Sequence, residues 1–385
     1  MKVSVVTRRE ELAALVTRWD ELAQKDRRDG FFRTSGWCLP WMKYLRPNAQ
    51  PFMIVVSGDD GKIAGIAPLC ALSYCNLGFR LRALSLPGRE VVSGDFLDFV
   101  TEAESRPAVI DAVLDFLREA ASKWSLLVMG EMIEGGDLHR AVNNMARRSG
   151  FAIRRQEERI CPYIELPTSF DEYLASLTSS SRSHIRRRVR EVIEKKGARI
   201  DVYSEPDEIV PRLNTLIRLH LNRWRSDNLP GTLGRPGFAS FLREVCTTPP
   251  IGSRCRLYIL THRETPVAAL LAFHFSQSAL YYQAGWDPDS PLAQHSPGVV
   301  IMARSISDAI DQGLRYYEFL RGDESYKSRW TRTYRNTITL LVARSFMARG
   351  YLHTAQLKDL LKGGVANCRS LVTSVSRKPV PRAEA

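Results

Sequence analysis

At 385 residues the chain is long for one hydrophobic core, so two domains are expected. Its 44% apolar and 25% charged residues fit a soluble globular protein: no run nears 18 uninterrupted apolar residues, and Arg8-Arg9-Glu10-Glu11 interrupts any signal-peptide apolar region. Seven scattered cysteines without C-x-x-C or Cys/His ligand spacing argue against a disulfide framework or a metal site, which points to the cytoplasm, and a net charge of +13 makes a polyanionic partner worth seeking, although Arg-heavy usage in a GC-rich genome is the plain alternative.

Residues 8–25 place Leu12, Leu15, Trp19 and Leu22 on one helical face. Phe52–Val56 and Ile63–Leu69 flank Ser57-Gly58-Asp59-Asp60-Gly61 and predict a hairpin. Arg80–Leu86 and Phe96–Val100 are strand candidates separated by Pro87-Gly88. A helix over about Pro107–Lys123, a strand at Leu126–Met129, a helix over Asp137–Ser149 and a strand at Ile160–Leu166 complete the first half.

The second half opens with a short helix at Asp171–Leu177 and a basic helix over Ser179–Arg199, stopped by Gly197. The basic helix buries Ile185, Val189, Val192 and Ile193 and shows Arg186, Arg187, Arg190 and Lys195 on its other faces. Such a face is solvated, or meets a polyanionic acceptor or an anionic membrane. Pro206–Arg225 carries the stripe Ile209, Leu213, Leu216, Ile217, His220 and Trp224, and a helix follows at Phe238–Cys246. Arg256–Leu260 and Val267–Phe275 predict a second hairpin, Thr337–Ala343 a last strand, Tyr351–Leu361 a helix, and Arg377–Ala385 a disordered tail.

Between these lies the most informative stretch, Tyr281–Trp330. It reads as strand (Ala279–Ala284), polar loop, helix, strand (Tyr316–Leu320) and charged loop. Ser296 is placed as N-cap, Pro297 in the first turn, and Met302, Ala303, Ile306, Ala309 and Ile310 mark the buried face. A strand–helix–strand crossover opens a helix N-terminus beside the strand ends, where N–H groups and the helix dipole attract phosphate. With the ionisable cluster after Leu320, this suggests group transfer from a phosphate-bearing donor. Each half also repeats hairpin, strand, helix, strand, which predicts two copies of one α/β module on a mixed sheet. The expected division is 1–160, 161–350, and a C-terminal helix and tail over 351–385.

The run from Ala284 to Trp330, with Gly-Asp-Glu-x-Tyr-Lys-x-x-Trp at its end, resembles the C-terminal part of CelD-like proteins of the GNAT acyltransferases, which are related to the Fem-type transferases. The basic helix, the H-x-x-R-W of His220–Trp224 and the Trp19 helix add to the resemblance, which spans nearly the whole chain. It implies tandem GNAT-like folds and acyl transfer from acetyl-CoA or another acyl-CoA to an amine or hydroxyl of a sugar, polysaccharide or cell-envelope precursor. The glycine-spaced pyrophosphate loop of the wider superfamily is replaced by His295-Ser296-Pro297-Gly298.

Direct acyl transfer needs a base for the acceptor, a donor to the thioester carbonyl and a proton for the leaving thiolate. The catalytic candidates are Asp323, Glu324, Tyr326 and His220, the last equally readable as a core histidine. Asp323 and Glu324 are equally readable as partners of Arg321, Lys327 or Arg329 in a loop-holding ion network. Donor-binding candidates are Gln283, Ala284 and Gly285 on the strand and Ser296, Gly298 and Val299 at the helix start. Arg186, Trp224, Arg225, Lys327, Arg329 and Trp330 are the acceptor-binding candidates. Two other readings stand beside this one: aminoacyl transfer from charged tRNA held by the basic helix, and a non-catalytic scaffold for a polyanion or a synthase partner. A cytoplasmic protein, free or peripheral to the inner membrane, fits all three.

Overall fold

The computed structural model describes residues 1–26, 28–88, 94–120, 123–226, 231–249 and 251–358. The sequence expectation for Arg377–Ala385 and the end of the 351–361 helix lie outside these residues. The first half contains β1 (Lys2–Val6), α1 (Val16–Lys25), α2 (Ser35–Pro40), β2 (Gln50–Ser57), β3 (Ile63–Asn76), β4 (Phe79–Ser85), β5 (Val100–Thr101), α3 (Arg106–Glu119), β6 (Leu126–Ile133), α4 (Asp137–Arg148) and β7 (Ala152–Glu165). The second contains α5 (Phe170–Ser176), α6 (Ser179–Val189), β8 (Arg199–Tyr203), α7 (Pro206–Ser226), α8 (Phe238–Thr247), β9 (Cys255–His262), β10 (Thr265–Phe275), β11 (Ser278–Trp286), α9 (Pro297–Asp311), β12 (Tyr316–Glu318) and β13 (Tyr334–Ala343). Residues 346–358 are helical.

The expected repeat is present. Hairpin β2–β3, strand β4, helix α3 and strand β6 are matched by β9–β10, β11, α9 and β12, and β4/β6 and β11/β12 are the parallel pairs joined by a helix. The two halves form one mixed sheet in the order β1-β2-β3-β4-β6-β13-β7-β12-β11-β10-β9-β8, with β5 beside β3. Strand β7 joins them: Ala152–Pro162 pairs with β13, and Tyr163–Glu165 pairs with β12. Strand β13 comes from the end of the chain yet lies between β6 and β7.

Period-two alternation assigns side chains to faces. In β6, Leu127 and Met129 enter one core while Leu126 and Val128 enter another; β10 does the same with Leu271 and Phe273 against Leu270 and Ala272. The first face carries one apolar layer through both halves, where Phe31 stacks on Phe273 at 4.5 Å and Trp37 meets Phe241 at 5.0 Å. On the opposite face α5, α6 and α9 cover the second half, and the 346–358 helix covers the first.

Several predicted boundaries are corrected. The 8–25 helix is a 3-10 turn (Arg9–Ala14) followed by α1, which brings both Leu12 and Leu15 to the core. Of Phe96–Val100 only Val100 is in a strand: Phe96 has φ +58°, and the buried chain up to Phe99 is irregular. The helix predicted to Lys123 ends at Glu119. Strand β7 begins eight residues before Ile160, because pairing with β13 orders a charged segment that has no alternation of its own. The basic helix is α-helical only to Val189, and Arg190–Lys195 is a π-helix. Gly197, at φ +65°, then turns the chain, and Arg199 starts β8, which the sequence did not indicate.

Candidate active site

Strands β11 and β12 pair through Ser278–Tyr316, Ala279–Tyr317 and Leu280–Glu318. Beyond that point β11 stays on β10 as far as Trp286, whereas Phe319 donates its N–H to Pro162 of β7. The strands therefore part. On the departing side β11 is bulged: Leu271 pairs with Gln283 and Ala272 with Tyr281, so Tyr282 is the extra residue. A bulge releases backbone groups from the ladder. The Tyr282 ring packs against Trp37 and Phe273 on one face, and Tyr281 lies 6.2 Å from Phe319 on the other.

Three donor-binding candidates thus sit where the strands separate. Gln283 and Ala284 are half-buried, and the Ala284 carbonyl is 3.0 Å from Nδ1 of His220. Gly285 is buried under α7, and a Cβ on it would collide with the backbone N and Cα of His220. Its lack of a side chain is needed for helix–strand packing, rather than for strand termination.

The start of α9 supplies the other three. Ser296 occupies the N-cap position, but at φ +55° and ψ +61° it is left-handed and its hydroxyl makes no capping bond. Capping serine requires extended backbone, so the capping role expected from sequence is not realised. Pro297 has no N–H, and the Val299 N–H is taken by the Ser296 carbonyl at 2.9 Å. A Cβ on Gly298 would meet only Trp286 Cδ1, at 3.9 Å, so the helix start is uncrowded at this residue. These residues fit a phosphate-bearing donor, with fewer amide donors than a proline-free helix start would offer.

The loop after β12 is held from inside. Lys327 is 3% exposed, and its Nζ donates to the carbonyls of Leu320 (3.3 Å), Arg321 (2.9 Å) and Gly322 (3.4 Å) while pairing with Glu324 at 2.9 Å. Gly322 has φ +122°, and a Cβ there would clash with the Glu324 carboxylate. Lys327 therefore spends its charge within the loop. Asp323 is exposed, and Glu324 is half exposed. Tyr326 shows 40% of its surface, yet its hydroxyl turns in toward that of Tyr281 at 3.4 Å, a long contact. Burial holds the Tyr326 phenol well above its usual range and pushes Tyr281 up to about 12, so both keep their protons at neutral pH. Trp330 is buried beside α9, and its carbonyl accepts from Tyr173 at 2.8 Å. Arg329 donates to His184 of α6 at 3.1 Å, which ties the basic helix to this loop.

Arg321 takes part in something the sequence did not disclose. Its guanidinium meets Asp95 at 2.8 Å and Glu131 at 2.7 Å, and Glu131 also accepts from Thr337 at 2.9 Å. Nearby, Glu318 pairs with Arg28 and Arg335, each at 2.9 Å, and Arg335 grips Asp29 through both carboxylate oxygens. Asp95, Glu131 and Glu318 are fully buried, and burial pushes the carboxyls of Glu131 and Glu318 up against the pull of their arginines. The pairs Arg321–Asp95, Arg321–Glu131, Glu318–Arg28 and Arg335–Asp29 each join the first half to the second. The one signal in sequence was a lone carboxylate inside an apolar strand run, as in LLVMGEMI and YYEFL.

His220 is 2% exposed; burial lowers its pKa to about 4, and its Nε2 is buried without a partner. Its ring lies 5.9 Å from that of half-buried Trp224, while Arg225 is exposed. Arg186 is exposed on α6 and pairs with Asp171 at 3.2 Å. The structure thus brings Gln283–Gly285, Tyr281, Tyr326, Glu324 and His220 around one end of β11, and sets Trp330 and Lys327 inside the fold. The first half has a cavity of about 360 Å³ near α1, β5 and the starts of α3 and α4, but its charges are mutually paired: Arg106 with Asp98 at 2.6 Å and Arg33 with Asp26 at 2.5 Å. Among the described residues, no helix is long and apolar enough to cross a membrane, and no group of His, Cys, Asp and Glu is placed to hold a metal.

Residues 179–328 match a family described as an acetyltransferase (GNAT) domain. No curated protein matches the chain in sequence. Among solved structures, FemX is similar at 13% identity and a TM-score of 0.62, over 89% of this chain and 97% of that one. The C-terminal domain of a putative lysylphosphatidylglycerol synthetase from Agrobacterium fabrum is similar at 10% identity and a TM-score of 0.53, over 90% and 96%. L-PGS from Bacillus licheniformis is similar at 13% identity and a TM-score of 0.51, over 92% and 98%. Residues 179–328 are therefore similar to a GNAT acetyltransferase domain, within a chain whose two-part mixed-sheet fold is like that of the FemX structure.

Proposed function

We propose that the chain moves an acyl group, acetyl in the simplest case, from acyl-CoA to an amine or hydroxyl of a sugar, polysaccharide or envelope precursor. The observation that carries this reading is the wedge between β11 and β12, with the Tyr282 bulge on one wall and the open start of α9 beside it. The donor supplies a thioester activated toward attack. Gly298 and its neighbours at the α9 start would hold its phosphates, and the backbone freed by the bulge would donate to the carbonyl. Glu324 or Asp323 accepts the proton lost by the attacking amine or hydroxyl. Tyr326, a phenol that holds its proton at neutral pH, gives one to the sulfur as the carbon–sulfur bond breaks. We take 1–160, completed by β13, and the rest of 161–350 as the two lobes, the second bearing the chemistry, in a cytoplasmic enzyme.

A second reading is aminoacyl transfer from charged tRNA. It is favoured by the exposed Arg186 and Arg187 on α6, with Arg190 just past its end, and α6 is tied to the site through His184 and Arg329. Calorimetric titration with acetyl-CoA and CoA separates the two. Saturable micromolar binding that persists in 0.15 M salt, where bare charges are screened beyond about 8 Å, is expected for the acyl-CoA reading. Tyr326→Phe should leave that binding intact and slow turnover on an accepted substrate by about tenfold to a hundredfold. Heat absent for both ligands, with charged tRNA bound instead, would transfer the proposal to the second reading.

A further inference from the structure

The face over the first half of the sheet has a feature that acyl transfer does not use. The 346–358 helix buries Ala348, Tyr351, Leu352 and Ala355 against β4, β6 and β13. A helix packed along one side should turn polar residues outward. This one leaves Phe346 93%, Leu357 61% and Met347 55% exposed. The apolar residues stand near both ends of the helix, so it offers its length rather than a tip.

The helix itself is basic. From Arg344 to Lys358 there is no Asp or Glu, and Arg349 lies between them. Leu72–Arg82, the adjoining end of the β3–β4 hairpin, also lacks acidic residues; its Tyr74, Phe79 and Leu81 face the helix, while Arg80 and Arg82 alternate to the other face of the sheet. The two elements form one surface: the Tyr351 hydroxyl lies 3.1 Å from that of Tyr74 and accepts from Asn76 at 3.4 Å, and its ring is 5.9 Å from Phe79. A groove of about 660 Å³ continues past the hairpin, lined by Arg46, Asn48, Tyr74, Asn76 and Arg80 among others, with no carboxylate.

We propose that this face docks on an anionic lipid bilayer. The helix lies in the plane of the surface, Phe346, Met347 and Leu357 enter the headgroup–acyl boundary, and Arg349 and Lys358 of the same helix stand at the level of the lipid phosphates. Large apolar side chains ringed by cations are the composition such a boundary selects. A second copy is a poor occupant, because a two-fold contact would press these cations against themselves. Residues 359–385 carry five Lys and Arg against two acidic residues, so they add to the positive charge instead of offsetting it. The α6 arginines, on a separate helix tied to the candidate site, take no part.

The full chain is floated with vesicles of phosphatidylglycerol and phosphatidylcholine, and with phosphatidylcholine alone, in 0.15 M salt. Recovery with the anionic vesicles should exceed that with neutral ones by about tenfold or more. Phe346→Ser/Met347→Ser should lower it by about tenfold while leaving the melting curve and the acetyl-CoA titration unchanged. Three results would each overturn the proposal: no recovery with anionic vesicles; recovery that the double variant retains but Arg186→Ala/Arg187→Ala abolishes; or a wild-type dimer that the double variant splits. The outcome does not depend on whether acyl-CoA binds.

Discussion

His220 shows how burial sets a residue's chemistry. On α7 it points at β11, with Nδ1 against the Ala284 carbonyl, so the proton sits on Nδ1 and Nε2 is an acceptor. Burial lowers its pKa from 6.5 to about 4, and His274 is lowered in the same direction by its own burial. A depressed histidine pKa means the unfolded chain binds the proton more readily. The associated stability is therefore complete above pH 6.5 and is lost as pH falls toward 4, by about 3 kcal/mol for His220 alone. Glu131 and Glu318, raised by burial, act in the opposite sense, so the comparison is best made between variants. Urea unfolding between pH 7 and pH 4.5 should show a flatter pH dependence in His220→Gln than in the wild type. At this scale the sequence showed which residue types cluster after Leu320, but not what they touch. Lys327 and Glu324 stand three apart in any reading, and only the turn at Gly322 brings the lysine under three carbonyls.

At the scale of elements, periodic apolar residues were enough to find both hairpins, α9, and the parallel strands that flank it. These elements have a strong pattern of their own, because one face of each is buried. Where pairing imposes the structure, the pattern was absent: the charged start of β7 and the edge strand β8 are ordered by their neighbours. Phe96–Val100 erred in the other direction, since an apolar run is buried there as irregular chain under Glu131, whose carbonyl accepts from the Leu97 N–H. Gly285 is a contact between two elements. Gly285→Ala should force α7 off β11 and cost about 3 kcal/mol, the upper range for overpacking. A chemical denaturation midpoint clearly below that of the wild type is the expected result; an unchanged midpoint would mean that α7 can shift freely.

In the whole molecule the two halves are interlocked more closely than two tandem modules need be. Strand β13 completes the first half from the chain's far end, β7 serves both half-sheets, and the bridges through Arg321 and Arg335 cross between them. A fragment ending at residue 160 would lack β13 and leave Glu131 without Arg321, and an unpaired buried charge of that kind costs about 3–5 kcal/mol. The fragment 1–160 should therefore fail to give a cooperative melt, whereas the full chain should unfold in a single transition by circular dichroism and by tryptophan fluorescence. A stable, independently melting fragment would show that the shared strands are dispensable.

The sequence by itself determined the repeated hairpin–strand–helix–strand order, the mixed sheet it builds, the crossover at α9 and the cluster of ionisable residues after Leu320, because these depend on local periodicity and residue type. Only the tertiary structure decided that Ser296 is left-handed and uncapped, that Gly285 is a packing contact, that Lys327 and Trp330 face inward, and that Arg321 and Arg335 hold the halves together. Those outcomes depend on pairs separated by up to about three hundred residues, as Arg335 and Asp29 are, and no window along the chain contains both partners.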